Sequence, residues 1–197
     1  CDPIDYSSLD ADGHIVSPIF HEISDDVFKK IKSDSNFLFV DPQGFLRQKD
    51  SNGNVILKKT DLDLSDVNAI KINPEEGQNI VSGSHDEMML ALQKKGIEYV
   101  LLTNKVDVSL LVKNRVYSLK LPNKTVHDTT GIGDIFCSAF TCTMLKEKDF
   151  LWALCFAAGS AQAALESNNV GLQKIPKKGM VENNASYFYN LVDFRDL

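Results

Sequence analysis

Short apolar runs alternate with longer helical patterns along most of the chain. The runs at residues 37–40, 69–72 and 99–102 are wholly or mostly apolar, which is typical of strands buried on both faces of a sheet. Helical patterns separate these runs, and that order favours a parallel sheet whose strands are connected by helices. The sequence therefore predicts an α/β fold.

Capping signals locate the helices between these strands. Ser24 precedes a helical segment with two acidic residues in its first turn. Ser84 and Glu87 form a capping-box pattern at the start of a second helix. Residues 73–74 combine an Asn cap with a Pro at the first helical position, so a third helix is expected directly after the strand at 69–72.

The second half of the chain has a different pattern. Residues 106–112 and 116–121 are expected to form an antiparallel hairpin that turns at residues 114–115 and lies at one edge of the sheet. Two almost wholly apolar helices follow, and both are expected to be buried. They cover residues 134–146 and 150–165. The remaining expected elements are a short edge strand at residues 54–57 and a last helix at residues 181–191.

Composition and charge indicate the number of domains and exclude one class of partner. With 43% apolar and 24% charged residues, the 197-residue chain is expected to fold as a single α/β domain over residues 1–197. The formal net charge of −6 gives no basic footprint for a phosphate backbone, so no nucleic-acid partner is expected.

The cysteines and the apolar segments bear on localisation. Cys137, Cys142 and Cys155 stand in strongly apolar helical sequence and are expected to be buried thiols, as in a reducing compartment. No run approaches the length of a membrane span, so no membrane partner is expected. Together these features predict a cytoplasmic protein.

A stretch with two glycines before the first apolar helix contains the candidate catalytic residues. It reads Asp128-Thr-Thr-Gly-Ile-Gly-Asp134 and runs into Ser138-Ala139. Glycines allow a ligand to approach the backbone closely, and the first amides of a helix attract an anion. Asp134 would repel a phosphate unless it had another task, and accepting the proton of a hydroxyl is such a task. A glycine-rich helix entry with Asp134 as a capping acid is the structural alternative.

This stretch resembles the C-terminal signature of the ribokinase-like carbohydrate kinases, also called the phosphofructokinase B family. The resemblance implies ATP-dependent phosphoryl transfer to a hydroxyl of a sugar, nucleoside or similar small molecule. It implies that Asp134 is the base and that the amides of Gly131, Ile132 and Gly133 form an anion hole. It also implies that Asp128 and Thr130 lie where some family members hold a monovalent cation such as K⁺.

Other segments resemble further parts of the family pattern. Asn73 and Glu76 resemble the family's Asn-x-x-Glu motif, which implies a role in placing Mg²⁺ through water, although the same residues also suit a plain helix cap. Thr103 stands at a loop that borders the nucleotide in the family, where Lys105 could contact a phosphate. Ser160 lies in a helix that resembles the segment flanking adenine.

The resemblance runs from about residue 37 to residue 176 and lacks the family's N-terminal half. The sequence is therefore expected to be a C-terminal fragment of a longer kinase or a reduced relative, with the N-terminal part of the fold missing. A sheet cut there would expose a strand edge, which could favour a homo-oligomer. The alternative function is a catalytically inactive nucleotide-binding or assembly module. It is favoured by Ile132, where family members usually carry a small residue.

Overall fold

The computed structural model describes residues 1–104, 106–122, 128–167 and 169–197, so Lys105 lies outside the described residues. The chain forms two compact units. The first contains residues 1–103, 111–114 and 197, and the second contains residues 104–110 and 115–196. The expectation of a single domain over residues 1–197 stays a prediction.

The first unit is built on parallel strands. Its elements are β1 (His14–Val16), α1 (Asp25–Asp34), β2 (Leu38–Val40), α2 (Gln43–Leu46), β3 (Arg47–Lys49), β4 (Val55–Leu57), β5 (Ala69–Ile72), α3 (Pro74–Ile80), α4 (His85–Lys94) and β6 (Tyr99–Thr103). The strand order is β1-β2-β5-β6, with every neighbouring pair parallel. Strands β3 and β4 form a separate antiparallel pair. The α/β prediction with a mostly parallel sheet is confirmed.

The register of the parallel strands places their apolar residues in one continuous core. Phe39 pairs with Ala69 and Ile70 pairs with Val100, and all four side chains are fully buried. Such strands read as continuous apolar runs because both of their faces are covered. The expected capping box at Ser84 is present, and Ser84 Oγ accepts the backbone N–H of Glu87 at 3.4 Å.

The second half of the chain is mostly helical. Its elements are β7 (Asp107–Val112), β8 (Arg115–Lys120), α5 (Ile132–Glu147), α6 (Phe150–Leu165), a 3₁₀ turn (Gly171–Lys174), α7 (Lys178–Tyr189) and β9 (Asp193–Asp196). The tight turn between β7 and β8 lies at Lys113 and Asn114, both with positive φ, one residue before the predicted turn. Helix α6 packs against both α5 and α7.

The prediction that α5 is wholly buried is wrong for one of its faces. Asp134, Ser138 and Cys142 recur every four residues along α5 and are exposed. Cys142 is therefore not the buried thiol that was expected, because apolar neighbours in sequence do not reveal which face of a helix a residue occupies. Cys137 and Cys155 are buried as expected, and burial raises the pKa of the Cys155 thiol to about 12.

Five of the described elements were not predicted from the sequence. They are β1, α2, β3, the 3₁₀ turn and β9, each of which has only three or four residues. Strand β9 pairs antiparallel with β8. Across the described ranges, no helix has the length and apolar character needed to cross a membrane.

Candidate active site

The turn before α5 is held in shape by its own hydrogen bonds. The Thr130 N–H donates to Asp128 Oδ1 at 2.9 Å, and the Ile132 N–H donates to the Thr129 carbonyl oxygen at 3.2 Å. Between them, Gly131 has a φ of +78°, a left-handed conformation that glycine adopts without a steric penalty. The sequence therefore dictates a sharp turn that delivers the chain directly into a helix.

The start of α5 presents amides and a carboxylate side by side. Ile132, Gly133 and Asp134 are the first three helical residues, and the amides of a first turn have no acceptor within their own helix. The Ile132 amide already donates to Thr129, so of the predicted anion-hole residues Gly131 and Gly133 are better placed to offer theirs. The positive end of the helix dipole adds to the attraction for an anion.

A cavity of about 850 Å³ opens in front of this turn, within the second unit. Five predicted site residues line it: Asp128, Thr130, Gly131, Asp134 and Ser160. The predicted residues Ile132 and Gly133 are not part of this lining. The rest of the lining is largely apolar, and it includes Ile135, Ala139, Phe156, Val170, Leu172, Ile175, Pro176 and Val181. A polar end beside a long apolar wall suits a ligand that has a charged part and a flat apolar part.

Sequence reasoning missed Lys174, a buried lysine that lines this cavity. The Lys174 side chain is only 3% exposed, and its Nζ donates to the Asp128 carbonyl oxygen, Asp128 Oδ2 and the Thr130 carbonyl oxygen. These are the residues that were assigned to a monovalent cation. Because a resident ammonium group already contacts their oxygens, they do not fit K⁺ as a further ligand.

The other predicted site residues lie in the first unit, where the structure brings them to the carboxyl ends of β5 and β6. Asn73 and Glu76 form a reciprocal capping box: Asn73 Oδ1 accepts the Glu76 N–H at 2.8 Å, and Glu76 Oε2 accepts the Asn73 N–H at 2.9 Å. Thr103 Oγ1 donates to the Ile72 carbonyl oxygen at 3.4 Å. Glu76 is 6% exposed, and burial raises the pKa of its carboxyl.

A buried ion pair accompanies Glu76 in the first unit. Lys71 Nζ lies 2.5 Å from Asp41 Oδ2, with the Asp41 side chain 1% exposed. The Lys71 charge lowers the pKa of Glu76, but by less than burial raises it. No local sequence pattern marks this ion pair, because Lys71 and Asp41 lie 30 residues apart.

Glu76→Gln is expected to flatten the dependence of stability on pH. The raised pKa means that folded Glu76 keeps its proton in a range, starting near pH 4.5, where the unfolded chain has released it. As the pH rises through this range, the free energy of unfolding of the wild type should therefore fall more than that of Glu76→Gln. The wild type should keep this additional loss at every higher pH. Urea unfolding from pH 4 to pH 8 measures this difference, with Glu75→Gln at the exposed neighbouring position as control. Parallel curves for the wild type and Glu76→Gln would contradict the assignment.

Comparison with known protein families identifies the family of the chain. A family model described as pfkB family carbohydrate kinase matches residues 42–178. That range contains the turn before α5, the capping box at Asn73 and the Lys174 ammonium, and it covers well over half of the chain. The chain belongs to the PfkB family of carbohydrate kinases. The family resemblance drawn from the sequence is confirmed, whereas a search of curated protein sequences finds no match.

Solved structures similar to this PfkB chain agree on the fold. A structure described as a pyrophosphate-dependent myo-inositol-1 kinase converted into a myo-inositol-3 kinase by mutation has a TM-score of 0.77 at 20% identity, covering 95% of this chain and 68% of that chain. Ribokinase from Thermotoga maritima gives 0.68 at 16% identity, covering 87% and 56%. Arabidopsis thaliana ribokinase complexed with ribose and ATP gives 0.63 at 21%, covering 87% and 55%.

These likenesses confirm a ribokinase-like fold for this PfkB chain. The chain spans about two thirds of the myo-inositol kinase structure and just over half of each ribokinase. This length difference agrees with the expectation that part of the ribokinase-like fold is missing from the sequence.

Proposed function

We propose that the chain catalyses phosphoryl transfer from MgATP to a hydroxyl group of a sugar, nucleoside or similar small molecule. The observation that carries this proposal is the turn at Gly131, since Gly131 at the cap of α5 and Asp134 in its first turn both line the cavity. PfkB family membership supports the reaction class.

The proposed roles follow from the chemistry of a loose phosphoryl-transfer transition state. The acceptor hydroxyl transfers its proton to the Asp134 carboxylate while its oxygen attacks the γ-phosphorus, and the bond from phosphorus to the departing ADP oxygen breaks. Negative charge on the equatorial oxygens is stabilised by amides fixed in advance at Gly131 and Gly133. The Ile132 amide of the proposed anion hole contributes less, because it already donates to Thr129. Asp134 lines the cavity and is exposed, as a base for a diffusible substrate must be.

Asn73 and Glu76 are proposed to help order Mg²⁺ through water. Asn73 Oδ1 and Glu76 Oε2 already accept backbone hydrogen bonds, so this pair suits water-mediated contact better than direct coordination. Mg²⁺ keeps several waters in protein sites and usually arrives with substrate phosphates, which fits such an arrangement. Thr103 and Ser160 are proposed to border the nucleotide.

ATP is preferred to pyrophosphate as the donor because of the apolar wall of the cavity. One similar structure is described as a pyrophosphate-dependent kinase and another as holding ATP, so both donors are candidates. Pyrophosphate would leave the wall formed by residues such as Phe156, Leu172 and Pro176 uncovered. A purine base would cover it and gain hydrophobic free energy.

Leu172→Ala is expected to distinguish the two donors. Leu172 lines the cavity yet is 86% exposed, so a bound base would remove its side chain from water while the fold should not depend on it. We expect the dissociation constant for MgATP to rise about tenfold and that for pyrophosphate to stay unchanged. Calorimetric titration measures both, with Leu191→Ala, away from the cavity, as control. Equal weakening of both donors would contradict an adenine site on this wall.

A catalytically inactive nucleotide-binding module is the second candidate function, and Ile132 in the proposed anion hole favours it. Turnover separates the two candidates: the full-length protein is incubated with MgATP and a panel of sugars, polyols and nucleosides, and ADP formation is followed. Acceptor-dependent ADP formation supports the kinase, whereas nucleotide binding without it on any acceptor supports the module. The acceptor panel includes ribose and myo-inositol, the ligands of similar structures. The cytoplasmic localisation, the homo-oligomer and the absence of a nucleic-acid partner stay predictions.

A further inference from the structure

Lys174 is a buried ammonium group whose hydrogen bonds are all directed at one turn. Its Nζ lies 2.8 Å from the Asp128 carbonyl oxygen, 3.1 Å from Asp128 Oδ2 and 3.2 Å from the Thr130 carbonyl oxygen. An ammonium group has three N–H donors, so these three acceptors account for its full capacity. A buried lysine is expensive unless it is paired in this way.

The oxygens around Lys174 Nζ have the chemistry of a monovalent cation site. Two are backbone carbonyl oxygens and one is a carboxylate oxygen, and their separation along the chain is only two residues. Hydrogen bonds from Thr130 and, to a smaller extent, from Lys174 lower the pKa of Asp128 to about 2, so its charge persists at any physiological pH. The Lys174 ammonium group supplies a unit positive charge beside this carboxylate, the charge that a monovalent cation would supply.

We propose that Lys174 is a covalently attached replacement for a monovalent cation and that it makes the turn before α5 independent of K⁺. The ammonium group contacts all three of these oxygens within 3.2 Å, so an inorganic ion could bind them only by displacing it. Lys174 is thus a positioning residue, since it acts on the loop and not on a substrate.

The position of Lys174 explains how this effect would reach the proposed anion hole. Asp128 and Thr130 flank Thr129, whose carbonyl oxygen accepts the Ile132 N–H at 3.2 Å. Gly131 follows immediately in its left-handed conformation. Fixing the two carbonyl oxygens therefore fixes the direction of the peptide groups from which α5 starts. This consequence for catalysis rests on the proposed function, whereas the independence from K⁺ does not.

Thermal unfolding of the full-length protein tests the proposal without any assay of turnover. Wild type, Lys174→Ala and Lys174→Met are melted in KCl, NH₄Cl and choline chloride at equal ionic strength. The wild-type midpoint should be the same in all three salts. In choline, both variants should melt lower by about 5 °C or more, because the turn loses the three hydrogen bonds from Lys174.

The two variants differ in the room that they leave. Lys174→Ala opens space for an ion, so K⁺ and NH₄⁺ should restore a large part of its midpoint, whereas Met fills that space without charge and should not be rescued. Lys178→Ala, at a lysine that is 75% exposed, is the matched control and should respond to no salt. A wild-type midpoint raised specifically by K⁺, or a Lys174→Ala midpoint that no small cation raises, would overturn the proposal.

Direct ion binding covers the case in which neither variant folds. The thallium-205 NMR spectrum of the wild type in TlNO₃ should show no protein-bound Tl⁺ that K⁺ displaces. A population of bound Tl⁺ that K⁺ displaces would overturn the proposal. Turnover adds a separate readout. The wild-type kcat should be equal in K⁺ and in choline. For Lys174→Ala, replacing choline by K⁺ should raise kcat by a larger factor than it changes KM. If the wild type is inactive but shows the expected melting pattern, the proposed function is wrong, whereas the proposed role of Lys174 still holds.

Discussion

Asp134→Asn is expected to lower kcat for phosphoryl transfer by about 10²- to 10⁴-fold, because the acceptor hydroxyl loses the group that takes its proton. Asn has nearly the same shape and can still occupy the third position of α5, so the turn at Gly131 should persist. The dissociation constant for MgATP should change by less than about threefold, because the base acts on the acceptor and not on the donor. Steady-state kinetics and calorimetric titration measure these two quantities on the same preparation.

Ser138→Ala is the matched control for this experiment. Ser138 lies one turn further along the exposed face of α5 and lines the same cavity. Its removal should leave kcat within about threefold of wild type. Turnover by Asp134→Asn at the wild-type rate would reject Asp134 as the base.

Gly159→Val is expected to lower the free energy of unfolding by about 3 kcal/mol, which corresponds to a midpoint lower by about 6–12 °C. A Cβ at Gly159 would lie 2.8 Å from the Ala185 backbone N and 2.9 Å from the Val181 carbonyl oxygen, both on α7. Backbone atoms cannot rotate away as a side chain can, so α6 and α7 would have to separate. Differential scanning calorimetry measures the loss.

Gly179→Val is the control for the intrinsic effect of replacing a helical glycine by valine. Gly179 lies in the first turn of α7, and a Cβ there would meet no atom within 4 Å. The free energy of unfolding should change by no more than about 0.5 kcal/mol. If the two variants lost equal stability, close packing of α6 against α7 would not be the reason for glycine at position 159.

Elements specified by local signals could be predicted from the sequence. The strands β2, β5 and β6 read as apolar runs because they are buried on both faces, and the capping boxes at Ser84 and Asn73 fixed the starts of two helices. The turn at Gly131 was readable for the same reason, since glycine spacing and an apolar helix together define a helix entry. Predictions therefore succeeded where the causes lie within a few neighbouring residues.

Features that depend on distant residues could not be predicted in this way. Lys174 meets Asp128 across 46 positions, and no local pattern marks a lysine that becomes buried. Strand β9 (Asp193–Asp196) is polar and exposed, and its strand geometry comes from pairing with β8 and not from its own composition. The exposed face of α5 was hidden for a related reason, because Cys142 and Ser138 are compatible with burial and only the packing of α5 exposes them.

Amide NMR of the ¹⁵N-labelled full-length protein shows whether the turn before α5 binds the phosphoryl group through its amides. During titration with MgATP, the Gly131 and Gly133 amides should show large shifts that saturate at the calorimetric dissociation constant. The Ile132 amide should shift less, because it already donates to Thr129. Saturable MgATP binding that leaves the Gly131 and Gly133 amides unmoved would contradict binding of the phosphoryl group by this turn.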